Sequence, residues 1–377
     1  MNVCFLAGET SGDLHGAGVV AALRKLSPHC ECWGMGGERM REAGLEVVVD
    51  AREMAVMGFI EVFKHLPVIK RNNDLLHREV KRRKPDVVIA IDYPGFNLRF
   101  AQWLRTEFSS GNYRPKTLGY ISPQVWAWKA GRIKQISERY DGLAVVFPFE
   151  VDTYKNAPLD VRFVGHPLLE ELPLDLSKTA AKANLGVTGK RVIAMLPGSR
   201  KQEIFHHTPI LTEAFRMLQK KHPDVIALVP ALSELPQEWY QPFVDIGARL
   251  VYDDASVSIV AADAAAVASG TATLQTALLG TPLTVLYRTS PITFAIGKRV
   301  VKVPYIALAN LVMNDLVAPE RIQNDATPKR LAKDLSNLMG EAGVEQVKKF
   351  ATLRSRLGGV GASQRVAEWI LELAAKQ

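Results

Sequence analysis

The stretch RVIAMLPGSR (191–200) decides the fold: an apolar run with β-branched residues passes straight into Pro197-Gly198-Ser199-Arg200, and apolar residues at helical spacing follow. A buried strand that ends in a glycine turn and opens a helix is the repeating step of a parallel α/β sheet. A second stretch, SGTATLQTALLGTP (269–282), follows the apolar Ile259–Ala268 run in the same way. Backbone N–H groups at a helix start carry partial positive charge. Small residues such as Gly198, Ser199, Ser269, Gly270, Thr271 and Thr273 let an anion approach them closely. Two such turns in one half of the chain predict a site for a nucleotide diphosphate. Arg200 is placed to neutralise that group bidentately.

Working outward, strand-like runs alternate with helix-length segments from end to end. Val3–Ala7, Val47–Val49, Val87–Ile91, Thr117–Ile121, Gly142–Val146 and Val161–Val164 are strands expected in the first half. Val192–Leu196, Val225–Val229, Arg249–Tyr252, Ala264–Ala268 and Leu283–Tyr287 are those expected in the second. Such alternation predicts an α/β chain of two Rossmann-like domains, each a parallel sheet covered on both faces. His166-Pro167, Pro173 and the polar Asp175–Lys182 stretch suit a linker. The expected domains are 1–168 and 169–350, with the ligand in a cleft between them. Segment 351–377 keeps Val366, Ile370, Leu371 and Leu373 apolar at helical spacing after Gly358-Gly359-Val360-Gly361. It is expected to dock as a helix, either back on the first domain or exchanged in a dimer.

At 377 residues, 47% hydrophobic and 23% charged, the chain is long enough for two cores. Its three cysteines, Cys4, Cys30 and Cys32, are too few and too clustered for a disulfide framework or a four-ligand zinc site, which fits a reducing cytoplasm. No leader-like or membrane-length apolar run is present, so neither export nor membrane spanning is expected. The formal net charge of +8 suits nucleic acid, anionic lipid or phosphorylated small molecules. No aromatic RNP sequence, zinc-finger spacing or basic arm supports nucleic acid.

The first turn, AGETSGDLHG (7–16), leaves one expected strand for a helix. It is neither a Walker A nor a GxGxxG sequence. Ser11 or Asp13 caps that helix, or Ser11, Gly12 and Asp13 contact a substrate. Glu9, an acidic side chain just past an inner strand, needs a partner. Asp92 ends the Val87–Ile91 run, where a carboxylate at the cleft rim would serve as general base; the other reading has it capping the turn before Pro94. Trp126 and Trp128 form a wall for a sugar or acyl chain, or are core. Met57–Arg71 sets Phe59, Ile60 and Phe63 beside Lys64, Lys70 and Arg71. That mixture suits peripheral contact with an anionic leaflet, and equally an amphipathic helix on a core. His206 and His207 are adjacent with no carboxylate cluster, so no metal and no cofactor are expected.

Taken together, AGETSGDLHG (7–16), IDYPGFN (91–97), SPQVWAWK (122–129), PFE (148–150), VGHPL (164–168), LPGSR (196–200), SGTATLQTALLGTP (269–282), YRTSPITF (287–294), VKVPYIALANL (301–311) and PERIQNDATP (319–328) resemble bacterial lipid-A-disaccharide synthase, in the family's order and across essentially the whole chain. The resemblance implies a GT-B-like inverting glycosyltransferase of lipopolysaccharide synthesis, at the cytoplasmic face of the Gram-negative inner membrane. It implies transfer of 2,3-diacylglucosamine from UDP-2,3-diacylglucosamine to 2,3-diacylglucosamine 1-phosphate, giving a β(1→6) disaccharide 1-phosphate and UDP. It places the acceptor and the membrane on the side of the first domain and UDP-sugar in the second. It places Asp92, as base, and Glu9 in the catalytic cleft, with Ser11, Gly12, Asp13 and Trp126 on the acceptor side. Arg200 lies by the UDP phosphates, Ser269, Gly270, Thr271 and Thr273 form the UDP-cradling turn, and Asn310, Glu320 and Gln323 fall on the donor side. Two positions depart from the family pattern: Gln275 stands where an acidic residue is usual, and Ala309 where a proline precedes the asparagine. Two other readings remain open: another UDP-sugar enzyme, such as an N-acetylglucosaminyltransferase or a UDP-GlcNAc 2-epimerase, and a UDP-sugar-binding protein without turnover. The resemblance permits a homodimer.

Overall fold

The apolar runs fold as strands because their neighbours bury them on both faces. The VVIAI run, for example, has every residue buried. The structure is a computed structural model that describes residues 1–54, 59–127, 131–300 and 303–376, apart from the side chains of 59–65, 296 and 300. In it β1 (Asn2–Ala7), β2 (Glu31–Gly36), β3 (Glu46–Asp50), β4 (Val87–Ile91), β5 (Lys116–Tyr120), β6 (Gly142–Val145) and β7 (Asp160–Phe163) form one sheet. Its order is β3-β2-β1-β4-β5-β6-β7. A second sheet contains β8 (Arg191–Leu196), β9 (Val225–Ala231), β10 (Arg249–Tyr252), β11 (Ala264–Ala268), β12 (Leu283–Tyr287) and β13 (Glu320–Ile322), in the order β10-β9-β8-β11-β12-β13. The paired strands of both sheets run parallel, and the chain is α/β with a GT-B-like architecture.

Two strands, β2 and β13, lack the β-branched signature. β2 reads ECWGMG, and a Cβ at Gly34 would run into the Phe5 backbone, so glycine is what allows β2 to pair closely with β1. β13 is three residues, ERI, at a sheet edge. Its position is fixed by pairing with β12 and by polar anchors, which no apolar period announces.

The chain divides into two compact units, Met1–Pro167 with Gly358–Gln377, and Leu168–Leu357. The Ala362–Ala374 helix packs in the first unit against the Thr10–Leu26 helix. There the Arg162 guanidinium lies 4.3 Å over the Trp369 ring and pairs with Glu372, while Arg365 Nε donates to the Val164 carbonyl at 2.7 Å.

Each strand order reverses direction once, between β1 and β4 in the first unit and between β8 and β11 in the second. In open parallel sheets a crevice forms at that switch point, beyond the carboxyl ends of the strands. The residues that leave those four strands are Gly8–Asp13, Asp92–Asn97, Pro197–Arg200 and Ser269–Thr273.

Candidate active site

At the switch point of the first unit, β4 ends in two consecutive left-handed residues, Asp92 (φ 44°) and Tyr93 (φ 47°). Neighbouring β5 ends in Ile121 at φ 67°. Such angles are uncommon outside glycine, and for a β-branched residue they are true outliers that surrounding structure must hold in place. Buried Asn97 does part of the holding. Its Nδ2 donates to the Asp92 carbonyl at 2.6 Å and reaches the carbonyls of Ile91 (3.2 Å) and Leu6 (3.4 Å), bridging the ends of β4 and β1. Gly8 matters here because a Cβ would run into the Tyr93 ring. Burial raises the Asp92 carboxyl above the ordinary carboxylate value, opposed by the Tyr93 N–H and by His15. The helix starting at Pro94 has Tyr93 as its N-cap, whose side chain makes no capping bond, while the Tyr93 N–H reaches the Asp92 carboxylate.

Other residues of the first turn take different places. Glu9 is the exposed N-cap residue of the Thr10–Leu26 helix, and its charge helps raise the Tyr93 phenol after burial has done so. Ser11 is exposed in the first turn and Gly12 is buried. Asp13 is 6% exposed, and its carboxylate accepts the N–H groups of Gly37 (2.7 Å), Met40 (3.0 Å) and Arg39 (3.1 Å). It thereby caps the start of the Glu38–Glu42 helix. Trp126 is half-buried, with its indole N–H donating to Glu150 at 3.2 Å and its ring edge-on to Phe149 at 5.1 Å. Glu150 itself accepts the N–H groups of Val146 and Phe147, and burial pushes its carboxyl up to about 7. Trp128 lies outside the described residues.

In the second unit the two glycine turns differ. After β8, Gly198 sits at φ 108° and the Glu203 carboxylate occupies the turn: Oε2 accepts the N–H groups of Ser199 (3.1 Å) and Arg200 (3.3 Å). Oε1 takes the Arg200 guanidinium at 3.2 Å, with the Arg200 side chain 79% exposed. The amides of this turn are taken by its own acid. After β11, Gly270 at φ 150° is the N-cap of the Thr271–Leu278 helix and, being glycine, brings no side chain to cap it. The Ser269 hydroxyl donates to the Ile306 carbonyl (2.9 Å) and the Thr273 hydroxyl to the Gly270 carbonyl (2.8 Å). Among the described residues no side chain accepts from the first N–H groups of that helix, on Thr271 and Ala272.

A polar framework holds this rim. Buried Asn310 exchanges bonds with the Ala318 backbone in both directions (2.8 and 2.9 Å) and donates to Glu320 at 2.9 Å. Both of its amide protons are thereby used within this framework. Glu320 accepts the N–H groups of Ile306 and Ala307 where the Leu308–Met313 helix, containing buried Ala309, begins. Gln323 pairs with the Thr289 peptide, accepting its N–H at 2.8 Å and donating to its carbonyl at 3.1 Å. Gln275 donates to Ser256 at 3.1 Å. His207 is fully buried, with Nδ1 at 2.7 Å from the Pro197 carbonyl and Nε2 accepting the Arg288 N–H at 2.9 Å. Lys201 and Arg288 line a common groove of about 710 Å³ with Phe205 and Trp239.

Of the residues read as lipid-facing, Lys70 and Arg71 are exposed and Arg71 pairs with Glu53 at 2.8 Å. The side chains of Phe59, Ile60, Phe63 and Lys64 lie outside the described residues. Among the described residues no helix is long and apolar enough to cross a membrane, and no metal-ligand cluster forms.

Comparison with known proteins adds a second, independent line. The family model for lipid-A-disaccharide synthetase matches residues 3–367. A lipid-A-disaccharide synthase of Geobacter sulfurreducens is 39% identical over 385 residues, covering 100% of this chain and 98% of its own. One from Coxiella burnetii is 38% identical over 375 residues, with 99% and 98% covered. Among solved structures, a UDP-GlcNAc 2-epimerase from Neisseria meningitidis bound to UDP-GlcNAc superposes with a TM-score of 0.65, at 14% identity and with 99% and 100% covered. At that identity the likeness is one of fold.

Proposed function

The chain belongs to the lipid-A-disaccharide synthase family and is a glycosyltransferase of lipid A biosynthesis, and we propose how its residues divide the work. The reaction transfers 2,3-diacylglucosamine from UDP-2,3-diacylglucosamine to the 6-hydroxyl of 2,3-diacylglucosamine 1-phosphate. A β(1→6) disaccharide 1-phosphate and UDP result. Asp92 is the general base: it takes the proton of the 6-hydroxyl as that oxygen attacks the anomeric carbon and the bond to the UDP phosphate breaks. One direct displacement inverts the centre, so a single base suffices. The N–H groups of Thr271 and Ala272 receive the diphosphate, and the exposed Arg200 guanidinium turns to it as charge develops on the leaving group.

The observation that carries the assignment of the base is the Asp92–Tyr93 turn, a strained left-handed pair pinned by Asn97 at a switch point, with a half-buried carboxylate. Its raised carboxyl value suits a proton acceptor better than a group fully committed to an ion pair. The epimerase alternative draws only on likeness of fold, whereas the synthase relatives are similar in sequence along the whole chain. Unit two supplies the donor side in this account. Lys70 and Arg71, with Phe59, Ile60, Phe63 and Lys64, make peripheral contact with anionic lipid, a reading supported by the exposure of the two described cations. Lys70→Glu with Arg71→Glu would then lower co-sedimentation with anionic vesicles, and unchanged binding would sink that contact.

The test of the reaction is UDP release from UDP-2,3-diacylglucosamine with and without the acceptor, for wild type and Asp92→Asn in parallel. Acceptor-dependent release that falls about 10²- to 10⁴-fold in the variant is expected for loss of a general base. The base must be ionised, so wild-type kcat/KM should fall as pH drops through the raised Asp92 value, and the residual activity of Asp92→Asn should lack that limb. Release without acceptor would identify a hydrolase or epimerase instead.

A further inference from the structure

The sheet order sets β8 and β12 on either side of β11. The segments that leave those two strands, Pro197–Arg200 and Arg288–Ser290, therefore flank the Ser269–Thr273 turn. One side chain joins them. His207, in the second turn of the Lys201–Lys221 helix and without solvent exposure, reaches the Pro197 carbonyl with Nδ1 (2.7 Å) and the Arg288 N–H with Nε2 (2.9 Å). A backbone N–H can only donate, so Nε2 is the unprotonated nitrogen and the proton sits on Nδ1, donated to Pro197. Only the neutral imidazole satisfies both ends, and burial lowers its proton affinity in keeping with that. The next residue, Thr289, is held from the β13 side by Gln323.

We propose that His207 is a positioning residue for donor binding: it fixes the spacing between the Arg200 turn and the Arg288 segment, and so sets the two backbone segments that flank the diphosphate turn after β11. The inference rests on the reading that unit two holds UDP. It deepens that reading by naming the residue that shapes the site without touching the ligand. Pro197 and Arg288 are far apart in sequence, and the imidazole links their backbones. The Arg288 side chain lines a groove with Lys201 and Trp239, so a shift of the Arg288 backbone moves one wall of that groove as well as the segment that leaves β12.

The experiment measures UDP affinity by titration calorimetry, and donor KM and kcat, for wild type, His207→Ala and His207→Asn, each with and without added imidazole. In His207→Ala the Kd for UDP and the donor KM should rise about tenfold as the Arg288 segment loses its anchor, the size expected when a part-buried peptide N–H loses its acceptor. Because Asp92 is untouched, kcat at saturating donor should stay within about twofold. Free imidazole should refill the cavity and restore UDP affinity, a response that general loss of structure does not give. His207→Asn keeps a donor for Pro197 and loses the acceptor for Arg288, so it should lie between alanine and wild type; it carries the test if the alanine variant melts early. UDP affinity equal to wild type in the folded variants, a fall in kcat with KM unchanged, or weakened binding that imidazole does not restore would each overturn the proposal. A wild-type chain that binds no UDP would instead overturn the underlying reading of the site.

Discussion

At the switch point of the second unit, the turn after β8 and the turn after β11 stand on adjacent strands, and both begin helices through a glycine with positive φ. In the first, the third helical residue is Glu203, whose carboxylate folds back onto the Ser199 and Arg200 N–H groups. In the second, the third helical residue is Thr273, whose hydroxyl donates to the Gly270 carbonyl and offers nothing to the amides ahead of it. One helix start is therefore neutralised from within, and the other still presents its partial positive charge. A glycine turn becomes an anion site only if the side chain one turn later leaves its amides open.

That contrast can be broken by moving the acid. Thr271→Glu places a carboxylate at the open turn on an exposed residue, and like charge against the diphosphate should weaken UDP binding about 100-fold in calorimetry. Arg200→Ala tests whether the filled turn still lends its guanidinium; loss of a charge-assisted bond should cost about tenfold in UDP affinity, mostly recovered by Arg200→Lys at high exposure. Glu203→Gln should have the smallest effect on the ligand. UDP affinity should stay the same or tighten by about threefold, because the Arg200 guanidinium loses a competitor. The same change keeps an acceptor for the Ser199 and Arg200 N–H groups but removes the negative charge at the helix start, so unfolding should become easier by about 0.3–1 kcal/mol, seen as a lower melting temperature. Improved affinity with reduced stability in one variant is the pattern that separates a filled cradle from a working one.

The sheets were legible in the sequence because buried parallel strands are continuous apolar runs, and VVIAI or RVIAML needs no partner to be recognised. β2 and β13 were not, since a glycine-bearing ECWGMG and a three-residue edge strand depend on what they pair with. The place of Asp92 followed from its position after an apolar run. The strain that distinguishes it, with Tyr93 also left-handed, is a property of backbone angles no residue pattern states. Asp13 and Asn310 sit in recognisable motifs, yet the structure directs their polar atoms to Gly37, Arg39 and Met40 and to Ala318 and Glu320. Motif membership does not distinguish a residue that touches a ligand from one that holds the loop that does. For Glu203 a signal existed: an acid three residues after the Arg200 N-cap is a capping-box spacing. For His207 none did, because its two partners are brought together by strand order alone.

The most direct test of this division is a calorimetric titration of UDP into Thr271→Glu and Glu203→Gln beside wild type. The account predicts that the first variant loses nearly all affinity while the second binds as well as wild type or better. Strong binding by Thr271→Glu together with loss of binding in Glu203→Gln would contradict it, and would move the diphosphate from the turn after β11 to the turn after β8.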